Sequence, residues 1–422
     1  MINQELILNQ PEMVKKALLK KGVDVNFDGF IDMRNKRVSL IQEIEKIRAK
    51  RNQLSKEIGA YKREKKDTSD LFKEIEALKG SITDQEENLK EIETLMEKFL
   101  LKLPNLPDED LLAGDKENNQ VIFTHLEKPS FDFKVKDHVE LATNLNIIDY
   151  ERAAKISGKG TWIYTSIGAR LEWALINFFI DQHHKDKYEF MLLPHILNYQ
   201  SGLTAGQFPK FEDDVFWLDG EEKQKFLIPT SETALINIHR NEILDLKELP
   251  RKYFSYSPCY RKEAGSYRSE ERGMIRGYQF NKVEMLQFTL PEDSDAAFDE
   301  MLSKAKSLMN QLGLHYQVSK LAAGDISFAM SRTFDLEVYL PSIDIYKEVS
   351  SVSNSRDFQA RRGMIRYRKA DGSVDYCHTL NGSGLATSRL VPAILEQNQQ
   401  ADGSVKIPDV LVPYMGGIKE IR

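Results

Sequence analysis

Two cysteines, Cys259 and Cys377, are all that 422 residues contain. That is too few for a disulfide framework or a cysteine-rich zinc site, and a reducing compartment suits both. No apolar run approaches the roughly 18 residues of a membrane span. The opening MINQELILNQPEM has no basic region ahead of an apolar core, so no secretory leader is expected and the cytoplasm is the default. Positive charge is not in excess either. A net charge of -6 excludes the broad positive field of indiscriminate nucleic-acid binders, so any such contact must be local. Walker A and Rossmann glycine patterns are both missing, which leaves a nucleotide to be held by arginines and metal. His315 and most other histidines show no metal-ligand spacing and read as structural. With 41% hydrophobic and 29% charged residues, the chain reads as an ordinary soluble protein of about two domains.

A heptad rhythm fills much of the first hundred residues. Leu40, Ile44, Ile47, Arg51, Leu54, Ile58 and Tyr61 step by four and three. So do Leu71, Ile75, Leu78, Ile82, Gln85, Leu89, Ile92, Met96 and Phe99, with Asp67, Thr68, Ser69 and Asp70 supplying the turn between. So short a connection predicts an antiparallel hairpin that sets Tyr61 near Leu71 and Ile47 near Gln85. Residues 34–66 carry twelve Lys/Arg against four Glu, and 67–98 carry ten acids against four lysines. The two helices either neutralise each other through flanking ion pairs or leave Lys62, Arg63, Lys65 and Lys66 as a basic tip. A helix of about 29 residues reaches roughly 40 Å, and a tip that far out suits phosphate-backbone contacts. From Leu103-Pro104-Asn105-Leu106-Pro107 to about Asn119 the pattern breaks into a linker.

Beyond it, an amphipathic helix is predicted over 168–184, followed by an apolar run, Phe190 to Leu193, that ends at Pro194. Strands are predicted over 224–228, 252–257, 282–289, 316–320 and 373–378. They do not alternate regularly with helices, which favours an antiparallel sheet in an α+β domain. Tyr260-Arg261-Lys262-Glu263 opens a strand, loop, strand unit carrying Arg261, Glu263, Arg272, Arg276, Phe280 and Glu284. Alternation puts Arg261 and Glu263 on one face. A salt-bridged surface hairpin is the plain alternative, but an aromatic ring among fork-shaped cations suits a lined cleft better. Glu348 and Ser351 offer the hard oxygens that Mg2+ accepts beside phosphate. Gly382 and Gly384, within His378 to Arg389, either let backbone approach a ligand at a helix start or relieve crowding between strand and helix. Cations, carboxylates and a ring around a small volume fit ATP plus a small zwitterion, and so an enzyme that activates an amino acid.

These strings resemble the bacterial-type seryl-tRNA synthetases, a family of class II aminoacyl-tRNA synthetases, and the resemblance runs essentially the whole length. It rests on motif 1 (about 168–194), Thr230-Ser231-Glu232, motif 2 (about 252–289), motif 3 (about 378–397) and the strings DFQARR and HTLNGSGLA. It implies a class II antiparallel sheet flanked by helices (111–422) and a tRNA-binding domain (1–110) with a two-helix coiled-coil arm (about 34–100). Arg261, Arg276 and Arg389 would be catalytic. Serine would meet Thr230, Ser231, Glu232, Arg261, Glu284, Asn381 and Ser383. ATP would meet Arg261, Lys262, Glu263, Arg276, Gly277, Tyr278, Gln279, Phe280, Glu348, Val349, Ser350, Ser351 and Arg389. Adenine would lie between Phe280 and Arg389 with its amino group on Glu263, and Mg2+ would sit on Glu348 and Ser351. Arg48, Arg51, Lys56, Lys62, Arg63, Lys65 and Lys66 would hold the long variable arm of serine tRNA.

Family members are homodimers joined through motif 1, with the tRNA running from the arm of one subunit to the site of the other. The resemblance leaves open whether selenocysteine tRNA, where one exists, is a further substrate. Three places depart from the family pattern: the loop 266–273, Tyr278 where His is common, and Ser388 before Arg389. None removes a group that activation requires, although the loop contacts to the tRNA acceptor end are in doubt. Two rivals are a synthetase-like tRNA-binding factor without catalysis and a ligase that loads an amino acid onto a carrier protein. The carrier-protein relatives lack the arm.

Overall fold

The computed structural model describes residues 1–263 and 273–422. Arg272 and the rest of loop 266–272 lie outside them. The chain forms two compact units, one of Ile2–Lys16 and Asp24–Leu103, the other of Met1, Ala17–Val23 and Pro104–Arg422.

The first unit is dominated by helices α1 (Asp28–Arg63) and α2 (Ser69–Leu101). They are antiparallel, since Arg37, Arg48 and Lys50 pair with Glu93, Glu86 and Glu74 in turn. Leu40, Ile44, Leu54 and Ile58 of α1 and Ile75, Ile82, Ile92 and Met96 of α2 are buried, as the heptads require. The helix is longer than the heptads suggested. Its 36 residues start at Asp28 and span about 54 Å, because Phe30 extends the seam by stacking on Phe99 at 5.3 Å. Tyr61 does not join the seam. It is exposed, with Lys66 Nζ 5.4 Å from its ring centroid.

The second unit is built on eight strands, β1 (Gln120–His125), β2 (Glu189–Met191), β3 (Arg251–Tyr260), β4 (Gln279–Thr289), β5 (Tyr316–Lys320), β6 (Arg332–Leu340), β7 (Ile345–Asn354) and β8 (His378–Ala386), in the order β1-β5-β6-β7-β8-β4-β3-β2. Every pairing is antiparallel except β2 with β3. This is the mostly antiparallel α+β sheet that the irregular strand spacing implied. Only the 373–378 expectation divides, into a small strand Val374–Tyr376 of another sheet and the start of β8. Helices α3 (Ser166–Lys185), α4 (Ser294–Leu312) and α5 (Thr387–Gln397) supply Leu171, Phe178, Phe298, Met301, Leu390 and Ile394 to a core shared with Val283 and Met285 of β4. Each such side chain fully buried contributes about 1.5–3 kcal/mol.

Strand alternation decides what remains for the opposite face. Phe280, Lys282 and Glu284 of β4 point away from that core and line a cleft. Gly382 and Gly384 turn out to lie inside a strand, not at a helix start. A Cβ at Gly382 would come within 2.6 Å of Met301 Sδ, and one at Gly384 within 2.4 Å of His183 Nε2. They admit α4 and α3 against the sheet, which is the crowding alternative. Among the described residues no helix is long and apolar enough to cross a membrane.

Candidate functional site

The cleft has a volume of about 730 Å³ and draws its walls from strands far apart in sequence. The end of β3 and the start of β4 present Arg261, Glu263, Arg276, Gly277, Phe280, Lys282 and Glu284. The Arg261 guanidinium sits 5.3 Å from the Phe280 ring centroid, and its Nε donates to the Pro229 carbonyl at 3.2 Å. Arg276 Nε donates to Glu263 Oε2 at 2.5 Å. Across the cleft stand Asp335 and Glu337 of β6 with Glu348 and Ser351 of β7. Asn381, Ser383 and Arg389 close it. Arg389 donates to the Glu348 carbonyl at 2.7 Å and lies 3.4 Å from the Glu348 carboxylate.

At the inner end the walls are polar and buried. Thr230 and Glu232, at the start of the short helix Ser231–Leu235, face Glu284 and Asn381. Glu232 accepts from Gln359 at 2.7 Å and from Asn381 Nδ2 at 3.3 Å, and the same Nδ2 donates to Glu284 Oε1 at 3.1 Å. Lys282 Nζ lies 2.5 Å from Glu284 Oε2 and donates to Thr230 Oγ1 at 2.7 Å. That ion pair gives Glu284 Oε2 a charged partner. Asn381 Oδ1 and Ser383 Oγ are buried without a hydrogen bond among the described residues. Buried polar atoms normally find partners, so this nook suits a small ligand with a hydroxyl and an ammonium group. Burial, then the nearby Glu284 carboxylate, pushes the Glu232 carboxyl up to about 7.

Among the described residues no three His, Cys, Asp or Glu come together to hold a metal ion, so a divalent cation here would rest on Glu348 and Ser351 with phosphate oxygens completing its shell. Ser351 Oγ donates to Asp335 Oδ1 at 2.5 Å, and burial and the neighbouring Glu348 carboxylate raise the Asp335 carboxyl well above its usual range. A cation would relieve that repulsion.

Five expected ligand residues do not line the cleft among the described residues. Ser231 Oγ bonds Ser257 Oγ at 2.7 Å, and Ser350 Oγ donates to the Ser383 carbonyl at 2.6 Å, so both brace the wall from behind. Lys262 donates its backbone N–H to the Asp214 carbonyl, Tyr278 is exposed with its ring edge on Phe216, and Gln279 is exposed. Val349 lines the cleft while its side chain is buried in the core. The missed residues are Lys282, Asp335 and Gln359. Lys282 and Asp335 were within reach, because Phe280-x-Lys282-x-Glu284 and Thr333-x-Asp335-x-Glu337 share one period of two. Gln359 lies in the string DFQARR, which marked the family resemblance but gave this residue no role.

On the arm, Arg48 is spent on Glu86, so mutual neutralisation accounts for part of the charge. Arg51, Lys56, Lys62, Arg63 and Lys65 have no ion pair among the described residues. Lys62 lies over the Phe72 ring at 5.0 Å, Arg63 donates to the Gly59 carbonyl, and Lys66 pairs with Glu64.

Comparison with known proteins adds identity to geometry. Residues 1–107 match the family described as Seryl-tRNA synthetase N-terminal domain, and residues 214–398 match tRNA synthetase class II core domain (G, H, P, S and T). The chain is 55% identical to Serine--tRNA ligase 2 of Clostridium acetobutylicum over 99% of both chains. Among solved structures it is similar to seryl-tRNA synthetase from Pyrococcus horikoshii complexed with ATP, with a TM-score of 0.92, 32% identity and coverage of 100% of this chain and 99% of that one. Cytoplasmic Serine-tRNA ligase from Naegleria fowleri in complex with AMP follows at a TM-score of 0.86 and 28% identity, over 98% and 96%.

Proposed function

The chain belongs to the seryl-tRNA synthetase family, and from that premise we propose that it activates L-serine with ATP and transfers the seryl group to the 3′ end of serine tRNA. The observation that carries this is the buried nook of Thr230, Glu232, Glu284, Asn381 and Ser383, opening onto Arg261 and Phe280. Glu232 and Thr230 take the ammonium group. Glu284, Asn381 and Ser383 take the hydroxyl, so alanine would strand buried polar atoms and be rejected more strongly than its smaller surface accounts for. The serine carboxylate is already ionised at neutral pH and needs no general base. Positioning and charge stabilisation therefore do the work.

Arg261 bridges the carboxylate and the α-phosphate, where charge accumulates as the carboxylate attacks phosphorus and pyrophosphate leaves. Adenine lies between Phe280 and Arg389, with its amino group on Glu263. Arg276 then exchanges its Glu263 partner for the outer phosphates, with Arg389 beside it. Glu348 and Ser351 would hold Mg2+, which would neutralise phosphate charge. A ribose hydroxyl at the tRNA 3′ end then attacks the adenylate carbonyl and AMP leaves.

Residues 1–110 serve as the tRNA-binding domain and 111–422 as the catalytic domain, with the basic tip on the variable arm of serine tRNA and, where it exists, of selenocysteine tRNA. Exposed Trp173, Phe190, Leu192 and Ile196 support a homodimer joined along motif 1. The setting is the cytoplasm. The test is transfer of labelled serine into acid-precipitable tRNA by the intact chain with ATP and Mg2+. Label in serine tRNA supports the proposal, and none in folded, adenylate-forming protein contradicts the acceptor, favouring a carrier-protein ligase instead.

The Glu232 carboxyl sets a pH dependence. An ammonium ion needs the ionised form, so serine affinity is expected to hold above pH 7 and to weaken about tenfold per pH unit below it. Calorimetric titration with serine checks this, with about one proton released per serine bound at pH 6 and almost none at pH 8. Constant affinity across that range removes Glu232 from the ammonium site.

A further inference from the structure

The sheet is interrupted where two walls of the nucleotide site meet. In the β8–β4 ladder the register slips between Ser383 and Ala386, and Leu385, fully buried, takes a left-handed φ of 78°. Such a backbone is costly for a branched side chain and persists only where its surroundings fix it. Behind the slip, on the face away from the cleft, stands Glu172 of α3, 3% exposed. Its Oε1 accepts from Asn281 Nδ2 at 2.8 Å and from Thr387 Oγ1 at 2.5 Å. Thr387 also donates to the Asn281 carbonyl at 3.2 Å. Asn281 stands between the cleft residues Phe280 and Lys282, and Thr387 begins α5 two residues before Arg389.

We propose that Glu172 is a positioning residue whose carboxylate oxygen ties β4 to the start of α5 across the bulge, holding Phe280 and Arg389 at the spacing that an adenine ring requires. The proposal rests on the nucleotide site described above. No atom of Glu172 lines the cleft, so it reaches the nucleotide site through Asn281 and Thr387. Burial raises its carboxyl above the ordinary range, although the Thr387 and Asn281 hydrogen bonds oppose that. What the node uses is an acceptor of fixed position, and a neutral amide oxygen supplies one as well as a carboxylate does.

Calorimetric affinities for ATP and for serine, measured separately on the intact chain, test this with Glu172→Gln, Glu172→Leu and Thr387→Val, each checked by melting temperature. Glu172→Gln is expected to bind ATP within about twofold of the parent. Glu172→Leu should weaken ATP at least tenfold and Thr387→Val severalfold, both with a clearly smaller loss for serine, because Thr230 and Glu232 stand on another element and Glu284, Asn381 and Ser383 lie farther along β4 and β8 from the node. Should Glu172→Leu fail to fold, Thr387→Val carries the same test with little change in shape. Equal losses for ATP and serine, an unchanged ATP affinity in the folded variants, or a glutamine variant as impaired as leucine would each overturn the proposal. A parent that binds ATP normally yet forms no adenylate would refute the functional reading and leave this comparison intact.

Discussion

Arg261→Ala is expected to lower serine-dependent exchange of labelled pyrophosphate into ATP by about a thousandfold, with melting temperature and oligomeric state unchanged. A donor aimed at developing negative charge in a dry site is worth about 2.7–4 kcal/mol, and in the proposed function Arg261 would serve two anionic groups at once. Its present contacts are weak by comparison, one 3.2 Å bond to the Pro229 carbonyl and a stack on Phe280. Under the proposed function the guanidinium therefore gives up little to reach phosphate. Lysine should rescue poorly, since a point charge cannot replace a fork that grips carboxylate and phosphate together. A loss below tenfold in folded protein would remove Arg261 from the transition state.

The second large effect concerns the acceptor alone. Replacing Lys62, Arg63, Lys65 and Lys66 by alanine is expected to raise KM for tRNA about a hundredfold at moderate salt and to flatten its salt dependence, since each phosphate no longer neutralised by the protein takes about one unit from the slope. Removal of residues 34–100 should abolish charging. Pyrophosphate exchange should stay within about twofold of the parent in both cases. Arg48 belongs in a separate variant, because its bond to Glu86 makes a loss there ambiguous between tRNA contact and arm packing. If charging survives loss of the arm, the finger is structural and the acceptor is recognised elsewhere.

What the sequence made legible follows the periodicities of its elements. Heptads placed the buried residues of α1 and α2, and period two placed Phe280 and Glu284 on one face of β4. The same rule applied strictly would have kept Lys282 and released Ser350, since alternate residues of a strand cannot all face one ligand. Motif strings conceal this because they are read as unbroken runs. Gly382 and Gly384 were open to two readings because glycine marks any close approach, and only the packing of Met301 and His183 says to what. Gln359 and Glu172 were out of reach for another reason. Their partners, Glu232 and the pair Asn281 and Thr387, are near them only in the folded chain.

The most direct measurement is pyrophosphate exchange by the intact protein with serine, threonine, alanine and glycine in turn. Vigorous exchange is expected with serine, with alanine and glycine suppressed because Asn381 Oδ1 and Ser383 Oγ stay buried without a hydroxyl partner, and threonine by its added methyl group. Exchange with none of the four, in well-folded protein, would contradict the account and leave the chain as a synthetase-like factor that binds tRNA without activating an amino acid.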